Sequence, residues 1–219
     1  MTETKEFNLD ALQALQELTL GTNYVERWQG TPQLLPYNVS THAYNCAMLY
    51  MQLCRICTKE VDLQLLSALL CHDNMESLTG DLLSPAKDSS PEDWDRIEAQ
   101  VQEKWRINTD MEASLVKTFL PIENNLMYLP TESLHLLKII DVLEFLLHAQ
   151  QEYKVGNRCS KVMSGLKYGG VSLKRRINAA QNALGAYPEY DDIMDIAACI
   201  KFYYNRQCCN LALSDDYYV

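Results

Sequence analysis

No stretch of this sequence stays apolar over the roughly 20 residues that a membrane-spanning helix needs, so a bilayer is not an expected partner. Runs of β-branched residues are few, whereas Leu, Ala, Glu and Gln are plentiful, which points away from sheets and toward an all-α chain. Cations are scarce as well. Against 29 Asp and Glu there are 19 Lys and Arg, a formal charge of −10, and no basic stripe is present to neutralise phosphates. That balance excludes a nucleic-acid polymer as the expected partner. An anionic ligand would have to be held by a metal or by a few placed Arg and Lys. No repeat and no clear boundary appears, so the 219 residues are read as a single domain able to bury a substantial core. The opening Met1-Thr2-Glu3-Thr4-Lys5-Glu6 is polar and acidic, unlike an export signal. With eight cysteines, it predicts free thiols in a cytoplasmic, reducing compartment.

Histidine is rare too, four in all, so the place of each is informative. His72 and Asp73 follow directly on Val61-Asp62-Leu63-Gln64-Leu65-Leu66-Ser67-Ala68-Leu69-Leu70, a run apolar on nearly every face. It predicts a helix buried all round with Asp62 as N-cap. Continued, that helix sets Glu76 at i+4 from His72 and i+3 from Asp73, on their face. Gly80 stops it, and Asp81 then lies just past the end, at the mouth of a cleft. Buried charge is costly without compensation, so acids and an imidazole gathered there suggest a metal site. The mixed nitrogen and oxygen pair suits Mn, Fe, Co, Zn or Ni better than Ca or Mg.

Two further residues are candidates for that site. His42 opens a helix just past a loop that carries Pro32 and Pro36. Asp141 sits inside Leu136-Leu137-Lys138-Ile139-Ile140-Asp141-Val142-Leu143, on the late helix that also holds His135 and His148. It is either a ligand or half of an ordinary ion pair with Lys138 at i−3. Elsewhere, helices are expected over 8–20, from a Ser40 or Thr41 cap to about Thr58, from Ser90-Pro91 to about Trp105, and over 109–120. Others are expected over 131–153, 172–184 and 190–213, with Gly156, Gly165, Gly169 and Gly170 marking a looser connection and 214–219 a disordered tail. Cys54-Arg55-Ile56-Cys57 has redox or zinc spacing but lies mid-helix without a second such pair, so it reads as core thiols. Phe202-Tyr203-Tyr204 reads as packing or an oligomer surface.

Taken in order, Arg27-Trp28, Asn38-Val39-Ser40-Thr41-His42, His72-Asp73-x-x-Glu76-x-Leu78-Thr79-Gly80-Asp81-x-x-x-Pro85-x-Lys87 and Asp141 resemble the HD-domain phosphohydrolases. Within that superfamily they resemble the bacterial 5′-deoxynucleotidases of the YfbR type and their phage relatives. The resemblance covers about residues 8–155, leaving 156–219 as additional helices and a short acidic tail. It implies one divalent transition metal ion (Co, Mn, Zn, Fe or Ni) held by His42, His72, Asp73 and Asp141. Glu76 would orient the attacking water or take its proton, and Arg27 and Lys87 would counter charge on the phosphate. Trp28 would pack on the sugar or base, Asp81 would accept a hydrogen bond from the 3′-hydroxyl, and Pro85 would belong to the substrate-binding stretch. Singly, these residues read as solvated cations, a lid on the core and turn chemistry; the ordered string weighs against that.

The resemblance also implies a deoxynucleotide substrate and a homo-oligomer. The favoured activity is hydrolysis of a deoxynucleoside 5′-monophosphate to deoxynucleoside and orthophosphate. Release of triphosphate from a dNTP is the alternative. It would need more cations near the metal, for which Lys174, Arg175 and Arg176 are loosely placed candidates. A non-catalytic nucleotide-binding HD module is a third reading, which loss of Glu76 or of a ligand would favour; all are present. One departure bears on His42: Thr41 precedes it, where these enzymes usually carry Glu, so another group must orient the ring.

Overall fold

The computed structural model describes residues 9–81, 87, 89–109, 113–121 and 129–210. Among them every regular element is helical: α1 Leu9–Gly21, α2 Val39–Cys57, α3 Leu63–Cys71, α4 Glu76–Thr79, α5 Pro91–Thr109, α6 Ala113–Phe119, α7 Thr131–Lys154, α8 Ser160–Leu184 and α9 Asp191–Asn210. Short 3₁₀ turns occupy Thr22–Tyr24 and Pro188–Tyr190. The expected all-α class is what forms, and no helix among the described residues is long and apolar enough to cross a membrane. The expected tail at 214–219 and the final residues of the last expected helix lie outside the described residues.

The chain winds into two compact units, each assembled from separated stretches. The first takes the described parts of Met1–Gln29, Tyr37–Thr41 and Cys71–Leu126. Its core is Leu18, Met75, Val116 and Leu120, with Leu15, Val101, Trp105 and Phe119 packed against it. Two side chains satisfy carbonyls around α6. Asn74 Nδ2 donates to Phe119 O at 2.8 Å and Gln102 Nε2 to Leu120 O at 2.7 Å. Serine, proline and two acids begin α5 as expected: the Trp94 N–H donates to Ser90 O at 3.1 Å, and Glu92 and Asp93 fill the first turn. The cap of α2, however, is Asn38 rather than Ser40 or Thr41. Its Oδ1 accepts the Thr41 N–H at 2.8 Å and the Ser40 hydroxyl at 2.9 Å. Asn38 also takes part in an isolated antiparallel bridge with Glu26, flanked by Arg27 N–H to Tyr37 O and Val39 N–H to Val25 O, both 3.0 Å.

The second unit comprises Gly30–Pro36, His42–Leu70 and the described part of Met127–Val219. Asp62 caps α3 as expected, accepting the Gln64 N–H at 2.8 Å. Burial of α3 is one-sided, because Leu65, Ala68 and Leu69 are covered while Leu63 and Leu70 are exposed. Along α7, Leu136, Leu137, Ile139, Ile140, Leu143, Leu146 and Ala149 are buried, and α8 and α9 pack on this helix. The expected loose connection through Gly165, Gly169 and Gly170 is instead the first half of α8, with all three glycines buried. Close packing is the reason. A Cβ on Gly169 would come within 3.2 Å of Leu146 Cδ1 and 3.4 Å of Leu146 Cβ, so its absence lets α8 approach α7.

Glu152, near the end of α7, has no exposed surface, yet its carboxylate is fully engaged. It accepts the Leu34 N–H at 3.0 Å, the Leu35 N–H at 2.6 Å and the Asn157 side-chain amide at 2.6 Å. The same amide donates to Pro32 O at 2.7 Å, and Lys161 Nζ donates to Gly30 O. One buried acid thereby fastens residues 30–36 to α7. Burial alone would raise the Glu152 carboxyl, but the Leu34, Asn157 and Leu35 donors outweigh it and hold the group below the ordinary glutamate range. A carboxyl depressed in the folded state contributes stability above its unfolded pKa and loses it as pH falls through the folded value. Glu152→Ala should lower the unfolding free energy by about 3 kcal/mol in urea melts at neutral pH, since several buried donors are left unpaired. The smaller deficit of Glu152→Gln should shrink in acid as the wild-type carboxyl takes up its proton.

Candidate active site

In the second unit His42, a candidate ligand, is fully buried in the first turns of α2. Its Nδ1 lies 2.5 Å from Glu144 Oε2 on α7. A carboxylate only accepts, so Nδ1 carries a proton in this contact, and in the neutral form of the ring Nε2 is an acceptor. Asp141 Oδ1 stands 3.2 Å from that Nε2. Two acceptors facing each other at this distance are reconciled by a shared cation, a proton or a metal ion, and the donor set therefore fits a divalent ion. Asp141 pairs with His42 one helical turn before Glu144, which explains its place among apolar neighbours. Cys46 Sγ lies 3.7 Å from His42 Nε2, and His42, Cys46 and Glu144 each offer a ligand atom within 4.8 Å of the others. Burial pushes the Cys46 thiol up to about 11, opposed by His42. The Cys54 and Cys57 pair is likewise without a disulfide. Cys54 is buried as expected of a core thiol, and burial, then Cys199, push Cys57 up to about 11.

In the first unit the chain leaves α3 through a succession of tight turns. Asn74 N–H to Cys71 O, Glu76 N–H to Asp73 O and Ser77 N–H to Asn74 O run from 3.0 to 3.1 Å. Three-residue turns bring side chains at i and i+3 into line, which sets Asp73 and Glu76 side by side. The helix expected to continue through Glu76 is thus interrupted, but the shared face survives. His72 Nε2 lies 3.4 Å from Asp73 Oδ1. Arg27 Nη1 bonds to Asp73 Oδ2 and reaches Glu76 Oε2 at 3.5 Å, while its guanidinium carbon stands 5.8 Å from the Tyr37 ring centroid. Lys87 Nζ approaches Glu76 Oε1 at 3.4 Å and the Trp94 ring at 5.2 Å.

These neighbours set the protonation of both Arg27 and Glu76. Burial alone would lower Arg27, but Asp73, then Tyr37, Glu76 and Asp81, hold it well above its ordinary value and keep it charged. Burial and then Asp73 raise the Glu76 carboxyl well above the usual carboxylate range, against the opposing pull of Arg27 and Lys87.

Trp28 is buried and holds a left-handed backbone, φ +59°, which costs a bulky residue about 1–2 kcal/mol. Its N–H donates to Asp81 Oδ2 at 2.9 Å. Gly80 turns the chain at φ +77° just before Asp81, as its expected role of stop required. The structure therefore gathers Arg27, Asp73, Glu76 and Lys87 in one cluster and Trp28 with Asp81 in a second contact. It pairs His42 with Asp141 in the other unit. Pro85 lies outside the described residues. Two residues were missed. Glu144 stands at i+3 from Asp141 and Asn45 at i+3 from His42, and the signal for the first was a second acid in the same apolar stretch of α7.

The profile of the YfbR-like 5′-deoxynucleotidases matches residues 14–164. Among solved structures, the HD phosphohydrolase DatZ of cyanophage S-2L, bound to dA and one catalytic Zn²⁺ ion, is similar with a TM-score of 0.55 and 19% identity, covering 84% of this chain and 95% of that one. An HD-domain phosphohydrolase from Listeria innocua has a TM-score of 0.59 and 16% identity, covering 88% of this chain and 98% of its own. At these identities the likeness is one of fold. No curated protein matches the sequence.

Removing the Asp81 carboxylate strands a buried N–H on a residue that is already strained. Asp81→Ala should cost about 1–3 kcal/mol of stability, read as a lower urea midpoint, and should change Trp28 fluorescence before global unfolding begins.

Proposed function

The chain belongs to the YfbR-like 5′-deoxynucleotidase family, and on that premise we propose that it hydrolyses deoxynucleoside 5′-monophosphates to deoxynucleoside and orthophosphate. As a member it is a metal-dependent phosphohydrolase. The observation that carries the proposal is the family match over residues 14–164, a span that includes every residue given a metal, catalytic or substrate role below.

His42, His72, Asp73 and Asp141 are assigned as ligands to one divalent ion. Support comes from the two acceptors, His42 Nε2 and Asp141 Oδ1, facing each other at 3.2 Å. When bound, such an ion supplies a Lewis acid for the phosphoryl oxygen and water made acidic enough to ionise near neutral pH. Glu76, buried and more basic than an ordinary carboxylate, takes the proton of the attacking water. Arg27 and Lys87, held over Glu76, offset phosphate charge that the acidic protein otherwise repels. Asp81 accepts the sugar 3′-hydroxyl and, through the Trp28 N–H, also sets the ring that packs on the sugar or base and disfavours a 2′-hydroxyl. Pro85 belongs to this substrate-binding stretch. A homo-oligomer is part of the same reading, supported by the exposed Phe202 and Tyr203 on α9.

The dA and Zn²⁺ held by the cyanophage protein make deoxyadenosine nucleotides and zinc the first to test. Zinc-, cobalt- and manganese-loaded protein should be incubated with each dNMP and each dNTP, with orthophosphate and triphosphate assayed separately. Orthophosphate from dNMP is the expected result. Triphosphate released from dNTPs, with dNMPs untouched, would replace the monophosphate reading by the triphosphohydrolase, and no turnover by the metal-loaded protein would leave a nucleotide-binding module. Glu76→Ala should keep its metal by elemental analysis while kcat falls about 10²-fold or more. Unchanged turnover would remove Glu76 from the mechanism.

A further inference from the structure

We propose that Glu144, locked in place by Asn45, is the positioning residue for His42 and through it for metal binding. This rests on the ligand role of His42 proposed above. Glu144 is 3% exposed, in a helix whose neighbouring side chains are mostly aliphatic, where an unpaired carboxylate would be strongly destabilising. Both of its oxygens are taken by α2. His42 Nδ1 holds Oε2 at 2.5 Å and Asn45 Nδ2 holds Oε1 at 2.9 Å. His42 and Asn45 are three residues apart on α2, and Asp141 and Glu144 three apart on α7, so consecutive turns of the two helices meet residue by residue. The His42 ring is thereby tied to α7 at each nitrogen.

The chemistry of this arrangement is specific. Glu144 fixes the tautomer, so Nε2 never carries the proton of the neutral ring, and its charge makes Nε2 a stronger donor to a cation. Asn45 prevents the carboxylate from rotating away. Thr41, which stands where a glutamate was expected, spends its N–H on the Asn38 cap, and ring orientation comes from α7 instead.

The test compares metal-free wild type, Glu144→Gln, Glu144→Ala, Asn45→Ala and His42→Ala. Cobalt and zinc affinities are measured by chelator competition, and the visible absorption of the Co²⁺ form is recorded. The expected result is about tenfold weaker binding in Glu144→Gln and up to 100-fold in Glu144→Ala, with a smaller loss in Asn45→Ala. The Co²⁺ bands should change in shape in all three, and metal-free Glu144→Gln should keep the wild-type melting temperature. A residue that merely pins α2 to α7 would move the melting temperature and leave affinity and bands alone; that pattern overturns the inference. If Glu144→Ala fails to fold, the isosteric Gln variant and Asn45→Ala decide the matter. His42→Ala separates the two levels. If it loses metal while the Glu144 and Asn45 variants bind like wild type, only the positioning role fails; if it too binds like wild type, the ligand assignment fails and this inference with it.

Discussion

An imidazole with a carboxylate at each nitrogen is the constraint to which the functional half of this chain answers. His42 has no contact with bulk water and Glu144 is almost as deeply buried, so that pair is little screened, while the Asp141 side chain keeps 22% of its surface in solvent. One, Glu144, is satisfied by hydrogen bonds. The other, Asp141, stands 3.2 Å from the second ring nitrogen, Nε2. The sequence of α7 follows from this. An aliphatic helix tolerates two acids one turn apart because a single ring on α2 engages both, and substitution at any of the three positions is felt at the others.

Three of the buried glutamates show three ways of keeping a charge away from water. Glu152 is surrounded by donors and ends up more acidic than usual, a purely structural state. Glu144 shares its charge with a histidine and an asparagine. At Glu76 burial and then the nearby Asp73 hold the proton more tightly than in water, although Arg27 and Lys87 at the edge of hydrogen-bonding range pull the other way. Burial pushes both Glu76 and Glu152 upward, and at Glu152 the donors that face the carboxylate reverse it.

Much of this was legible in the residues themselves. Leucine spacing and the Asp62 and Ser90-Pro91 starts placed helices within a few residues, because local capping chemistry is decided by neighbours in the chain. Asp141 stood out as an acid in apolar company. What could not be read depended on partners distant in sequence. The glycines of α8 look like a loop until Leu146 is known to lie against Gly169. Asn38 outcompetes Ser40 and Thr41 as a cap because its backbone is already fixed by pairing with Glu26. Glu144 passed as one more helical glutamate, since nothing local reveals that the face it occupies turns toward His42.

The fastening of residues 30–36 has a consequence for how this surface behaves over time. Leu34 leaves 61% of its surface in solvent, yet its amide hydrogen is directed into a fully buried carboxylate, and that of Leu35 shares the same acceptor. Deuterium would have to wait for Glu152 to release several donors at once, so this segment would exchange on the timescale of a helix interior while looking, to a protease or an antibody, like an open loop.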